Sequence, residues 1–198
     1  MSNSKFRIWE LSLLIALSLS LCLGTWAQAR QDSISGSLVR LHVLAVSDDE
    51  NEQRIKLNVR DRVLEYISPY LENASNPNEA KSVIQSRLAG IKSAAEAASQ
   101  GRKVTVTLSE EYYPTREYEG FSLPAGRYDS LRVILGEGEG HNWWCVVFPP
   151  LCVSVSQQEE AMETLRDDVR GIVAESEGYQ VKFRLVELWN ELSELLRQ

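Results

Sequence analysis

The chain of 198 residues holds only two histidines and three cysteines. With imidazoles and thiols so scarce, the usual groups of acid–base, thiol and zinc chemistry are nearly missing. It also lacks an excess of positive charge, since 21 Lys+Arg stand against 28 Asp+Glu for a formal net charge of −7. Such a balance repels nucleic-acid phosphates and disfavours anionic lipid surfaces. There is no internal repeat and no long low-complexity linker, so the chain reads as a single compact unit. Long hydrophobic runs are scarce too: the one extended apolar run, Leu11 to Leu23 with Ser12, Ser18 and Ser20 inside it, is shorter than the roughly 18 to 20 residues of a spanning helix. The alternative is an uncleaved tilted anchor that extends towards Trp26.

That run has the context of an export signal. Lys5 and Arg7 precede it, and Ala27-Gln28-Ala29 follows as a small-x-small cleavage site, so residues 1–29 read as a secretory signal peptide. Cys22 follows Leu21 where a lipoprotein signal wants a small residue, and is expected to leave with the leader. Taking Lys5, Arg7 and Glu10 from the totals of 21 and 28 leaves 19 basic and 27 acidic residues from Arg30 onward, a net charge of −8. Residues 31–37 are mostly polar and small, and 30–37 are expected to form a flexible mature N-terminus. Residues 38–198 are then a single globular domain.

Its pattern is that of an α+β fold. Apolar residues on both faces around Leu41, Val43 and Ala45 predict a buried strand that includes His42. Ser47-Asp48-Asp49-Glu50 ends it and supplies capping oxygens and carboxylates for a helix from about Glu50 to Leu71. There Ile55, Val59, Val63, Ile67 and Leu71 recur at i,i+4. Asn76-Pro77-Asn78-Glu79 has the form of a capping box for a second helix running to about Ser99, with Gly101 suited to closing it. Val104, Val106 and Leu108 alternate with polar residues as a half-buried strand. Leu123-Pro124-Ala125-Gly126 predicts a turn between strands at Tyr118 to Leu123 and Tyr128 to Leu135. A further strand at Trp143 to Phe148 ends at Pro149-Pro150. Weakly helical residues Gln157 to Ala174, a strand from Tyr179 to Leu185 and a short closing helix around Leu188 to Leu196 complete the prediction. The expected architecture is a mixed or antiparallel sheet packed by two long N-terminal helices, with a short C-terminal helix.

Few residues offer chemistry. No metal-ligand spacing surrounds His42, and its simplest reading is a partly buried imidazole hydrogen-bonded to a neighbour such as Asp48. Cys145 and Cys152 suit either a disulfide or two buried free thiols. A disulfide here would be worth roughly 2–2.5 kcal/mol in the chain-entropy model and would pin Phe148-Pro149-Pro150. Zinc at His141, Cys145 and Cys152 lacks a fourth ligand. A Cys145 nucleophile with a histidine base lacks a visible activating cation, and Ser47-Asp48 with His42 has no nucleophile-elbow signature. Gly136-Glu137-Gly138-Glu139-Gly140 has carboxylates where a phosphate loop has lysine, and no alternating Asp/Asn pattern for calcium, so its glycines read as freedom for an unusual turn. Trp143-Trp144 is the strongest binding signal. Neighbouring strand residues face opposite ways, so only one indole can enter a given core, and an outward indole beside Phe148 and Pro149 suits protein recognition.

Three blocks carry a resemblance. They are Arg40-Leu41-His42-Val43-Leu44-Ala45 with Ser47-Asp48; Leu123-Pro124-Ala125-Gly126 with Tyr128 and Leu131-Arg132-Val133; and Gly136-x-Gly-x-Gly leading to Asn142-Trp143-Trp144-Cys145-Val146 and Phe148-Pro149-Pro150-Leu151-Cys152. In this order, from Val39 to Cys152, the chain resembles the stage II sporulation protein R family of endospore-forming bacteria. Val46 departs from the pattern, which has Asn before the Ser-Asp pair, and residues after Cys152 match no motif. The resemblance implies a secreted signal in the space between forespore and mother-cell membranes. There it is required to activate a membrane-embedded aspartic protease that processes a mother-cell sigma factor precursor. The implied partner is the extracytoplasmic part of that protease, with no cofactor, nucleic acid or small-molecule substrate and no catalysis by the chain itself. The implied contact residues are His42, Asp48, Asn142, Trp143, Trp144, Phe148, Pro149 and Pro150. The alternative is an exported thiol-dependent hydrolase with Cys145 as nucleophile and His42 as base.

Overall fold

The computed structural model of the chain describes residues 2–118 and 121–152. They form an α+β fold of three helices and a mixed sheet. The first helix, α1 (Ser2–Ser35), contains the apolar leader, whose leucines stand exposed along it. Counted as helix rather than as apolar run, Arg7–Ser35 is long and apolar enough to cross a bilayer. The expected loose segment at 30–37 is corrected here, because α1 continues through Ala29 to Ser35. The cause is burial: Ile34 and Leu38 enter an apolar cluster with Phe121, Leu123 and Tyr128, and Gln31 is buried as well.

Strand β1 (Val39–Leu44) follows, then two helices of equal length, α2 (Glu50–Leu71) and α3 (Pro77–Ala98). The i,i+4 stripe of α2 is the buried one, from Ile55 through Val59, Val63 and Ile67 to Leu71. Ala80, Ile84, Ile91 and Ala95 do the same for α3. Each fully buried aliphatic side chain contributes about 1.5–3 kcal/mol from area removed from water. The start of α3 is held as its sequence predicts. Asn76 Oδ1 accepts from the Glu79 amide at 3.0 Å, and Glu79 Oε2 accepts from the Ser75 amide at 2.8 Å. The start of α2 differs, since Asp49 at its N-cap makes no capping hydrogen bond and accepts from the Ser47 hydroxyl instead, at 2.8 Å.

The remaining strands are β2 (Val104–Tyr113), β3 (Arg116–Tyr118), β4 (Phe121–Leu123), β5 (Gly126–Leu135) and β6 (Asn142–Phe148). The main sheet runs β2-β5-β1-β6, with β1 parallel to β5 and the other pairs antiparallel. Two strand expectations are corrected. β2 extends past Leu108 to Tyr113 because β5 pairs with it along its whole length, and the one strand expected at Tyr118 to Leu123 is divided between β3, which ends at Tyr118, and β4, which begins at Phe121 and pairs with β3. The Leu123-Pro124-Ala125-Gly126 turn therefore joins a small ribbon to the main sheet. The closing helix, the last strand and the helix expected at Gln157 to Ala174 lie outside the described residues.

Alternation sorts the sheet into two faces. Val39, Leu41, Val43, Leu131, Val133 and Cys145 turn toward α2 and α3 and form the main core with them. Arg40 and His42 turn the other way, beside their register partners Ser130, Arg132, Trp144 and Val146.

Candidate functional site

The second face is where the sequence blocks meet. Arg40, on the central strand, is fully buried. Its guanidinium lies 3.9 Å from the ring centroid of Tyr113, 5.0 Å from that of Tyr128 and 5.9 Å from that of Tyr118, and it donates to the Tyr118 hydroxyl. Its Nε and Nη1 have no hydrogen-bond partner among the described residues. Attraction to the ring faces thus stands in for a carboxylate in compensating the lost hydration. The cage is itself braced. The Tyr128 hydroxyl donates to the Pro124 carbonyl at 2.6 Å, tying the Pro-Ala-Gly turn to the sheet, and the Tyr113 and Ser130 hydroxyls are hydrogen-bonded at 2.6 Å. Burial pushes the Tyr128 phenol up to about 12 and raises that of Tyr113 as well.

Further along β1, His42 links two other strands. Its Nδ1 lies 3.3 Å from Glu111 Oε2 on β2, and its Nε2 lies 2.7 Å from Asn142 Oδ1 on β6. Glu111 is ion-paired with Arg132 Nε of β5 at 3.3 Å, without the alignment of a hydrogen bond. Burial works against ionisation of Glu111. Hydrogen bonds from His42 and Ser130, with the charges of His42 and Arg132, overcome it and hold the carboxyl below its ordinary range. Trp144 closes the cluster, its ring 5.7 Å from that of His42 and 6.1 Å from that of Tyr113. The Arg116 guanidinium lies over the indole at 3.8 Å.

The residues singled out from sequence do not form one patch. Asp48 does not serve His42 as expected. It accepts from the His141 amide at 2.5 Å and pairs with His141 Nδ1 at 2.5 Å, in an exposed position. The loop carrying His141 is drawn there by the Gly140 amide, which donates to the Ala45 carbonyl at 3.0 Å. A Cβ on Gly140 would lie 2.3 Å from the Ser47 carbonyl oxygen, so only glycine allows this approach; Gly136 and Gly138 have φ of +60° and +72°. Buried Lys56 holds the same loop, donating to the His141 carbonyl at 2.8 Å. Desolvation lowers its pKa.

As the alternation requires, the two indoles part. Trp143 packs on the helix side, with the Arg60 guanidinium 4.4 Å from its ring, while Trp144 faces the Arg40–His42 side. Phe148 joins the helix-side core, Pro149 is buried and Pro150 is exposed. Of the eight contact residues, His42, Asn142 and Trp144 therefore come together. Asp48 and Pro150 lie at opposite ends of the sheet, since β6 runs antiparallel to β1.

Cys145 and Cys152 are joined as a disulfide, with Cα atoms 5.8 Å apart. Cys145 pairs in register with Leu41 on the helix side, and His42 projects from the other. The sheet thus separates the nucleophile and base that a thiol hydrolase would need. A hollow of about 570 Å³ at the α2–α3 turn, lined by Tyr70, Asn76 and Glu79 among others, contains none of the expected contact residues.

Sequence reasoning missed Glu111, Arg116, Arg132 and the tyrosine cage. One signal was available. The alternation Thr105, Thr107 continues through Ser109 and Glu111 to Tyr113, which carries β2 past its last apolar residue and onto this face.

The fold and its polar face define a small α+β module with an apolar N-terminal helix, of the kind an export signal or anchor supplies. The family model described as Stage II sporulation protein R (spore_II_R) matches residues 35–158. Stage II sporulation protein R of Bacillus subtilis (strain 168) is 32% identical over 185 residues, covering 80% of this chain and 83% of the relative. The chain belongs to the stage II sporulation protein R family, and its role is in sporulation. No solved structure matches it.

Proposed function

We propose that this chain is an exported sporulation signal acting between the forespore and mother-cell membranes. It binds the extracytoplasmic part of a membrane-embedded aspartic protease and favours the protease state that processes a mother-cell sigma factor precursor. A ligand shifts such an equilibrium only through its differential affinity for the two states, so a rigid, preorganised surface suits the task. The observation that carries the reading is the convergence of the three blocks on one sheet face. Arg40 and His42 come from the first, Tyr128 from the second, and Asn142 and Trp144 from the third, interlocked through rings, hydroxyls and the Glu111 carboxylate. The exposed amide of Asn142 and the half-buried indole of Trp144 are the groups it offers a partner.

The test is to produce the chain together with the protease and the precursor and to follow cleavage. Asn142→Asp, which keeps an oxygen for His42 Nε2, and Trp144→Phe should leave circular dichroism and Tm near those of the native chain while slowing processing by at least about tenfold together, the scale of one interface hot spot. Native processing by both variants overturns this assignment of the contact.

A further inference from the structure

The second face has a covered half and an open half. The end of α1 and the β3–β4 ribbon lie over the tyrosine cage. On the open half Thr105, Thr107, Ser109 and Asn142 are exposed, and the Arg132 side chain is 37% exposed. We propose that this open half docks an acidic segment of a partner protein. The proposal rests on the reading of the chain as a recognition signal and names the chemistry of what is recognised.

Charge carries the argument. The chain as a whole is acidic, at −7, yet on this face His42 and Arg132 share one carboxylate, Glu111, and Arg116 lies over Trp144, while Arg40 is enclosed in the cage beneath the covered half. Glu111 is already engaged by His42, Ser130 and Arg132. Exposed Arg116 stacks on the Trp144 indole and has no carboxylate partner among the described residues. One guanidinium, Arg116, lies on the Trp144 indole, and a second, Arg132, stands on the far side of His42 in the register Arg132–His42–Trp144; each can take a carboxylate in a fork of parallel N–H donors, and the indole supplies apolar contact area. The hydroxyls of Thr105, Thr107 and Ser109 alternate onto the same face and add donors for an extended acidic chain. A second copy of this chain would approach against mutual repulsion of its net charge, which favours a different protein as the occupant.

Binding of a fluorescently labelled synthetic peptide of alternating glutamate and threonine to the full-length chain tests this. Anisotropy should report binding that weakens with added salt and falls by at least about tenfold in the Arg116→Glu/Arg132→Glu double variant, where like charges now meet. Lys92→Glu, a charge reversal of equal type on exposed α3, should leave it unchanged. No binding by the native chain, or equal loss in Lys92→Glu, overturns the proposal. Self-association of the native chain that the double variant abolishes overturns it as well, because the face would then belong to a second copy. The readout does not involve the protease. Peptide binding through this face without precursor processing would defeat the proposed function alone, and processing that survives the double charge reversal would defeat the acidic-segment proposal alone.

Discussion

The same strands present two unlike faces. Toward the helices, Leu41, Val43, Leu131 and Val133 meet the stripes of α2 and α3 in a core with hardly a polar atom. On the other side, Arg40 sits in a tyrosine cage and His42 spans from Glu111 to Asn142. The first arrangement depends on volume, and many sequences of similar size and pattern would satisfy it. The second depends on particular groups, each placed by a partner distant in sequence. A buried guanidinium and a buried imidazole are costly ways to stabilise a fold, and an apolar filling of the same shape is often as good or better. That contrast assigns stability chiefly to the helix side and recognition to the other.

The largest expected effect is on the helix side. Leu131→Ala should cost about 2–5 kcal/mol through lost burial and a residual cavity, measured by urea denaturation; a loss below about 1 kcal/mol would break the comparison. Next comes Arg40. Its truncation to Ala should cost about 2–4 kcal/mol by emptying the cage, whereas Arg40→Met, which keeps the volume, should change stability by less than about 1.5 kcal/mol. An equal, large loss in both would make the charge itself a structural requirement. Cys152→Ala should cost roughly 2–2.5 kcal/mol by freeing the loop in the unfolded chain, and a reductant should bring the native chain down to the same midpoint.

The smallest effect sharpens the polar face. Because the folded Glu111 carboxyl titrates below its ordinary range, the unfolded chain binds more protons in that window and stability rises with pH through it. The contribution is complete above the unfolded pKa of about 4.3 and is lost as pH falls through the folded value. Glu111→Gln should therefore lower the denaturation midpoint at pH 7 and make less difference at pH 3. A deficit that grows on acidification would refute the ion-pair geometry.

Local pattern made much of the fold readable. The i,i+4 stripe placed α2 from Glu50 to Leu71 and the Asn76–Glu79 box placed the start of α3, whereas the left-handed turn expected of Gly101 begins one residue earlier, at Gln100 with a φ of +51°, and Gly101 at +85° continues it. Alternation also foretold that the two indoles would part. What stayed hidden depends on partners far along the chain. Asp48 is near His42 in sequence, yet the imidazole pairs with Glu111 across 69 residues and Asn142 across 100. β2 looked finished at Leu108 because its continuation is polar, and only pairing with β5 shows that polarity to be a built face. Polar residues 30–37 resembled a loose end, since nothing local reveals that Ile34 and Leu38 have Phe121 and Tyr128 to pack upon.

The division of labour between the faces is tested most directly by measuring precursor processing against Tm for variants on both sides. Asn142→Asp, which keeps the oxygen facing His42, and Trp144→Phe would stand for the polar face, and Ile55→Val, which trims the helix-side core by about 0.5–1.5 kcal/mol, for the other. The account predicts near-native processing in Ile55→Val despite its lower Tm, and impaired processing in the polar-face pair at near-native Tm. Processing that follows Tm alone, whichever face is altered, would contradict it.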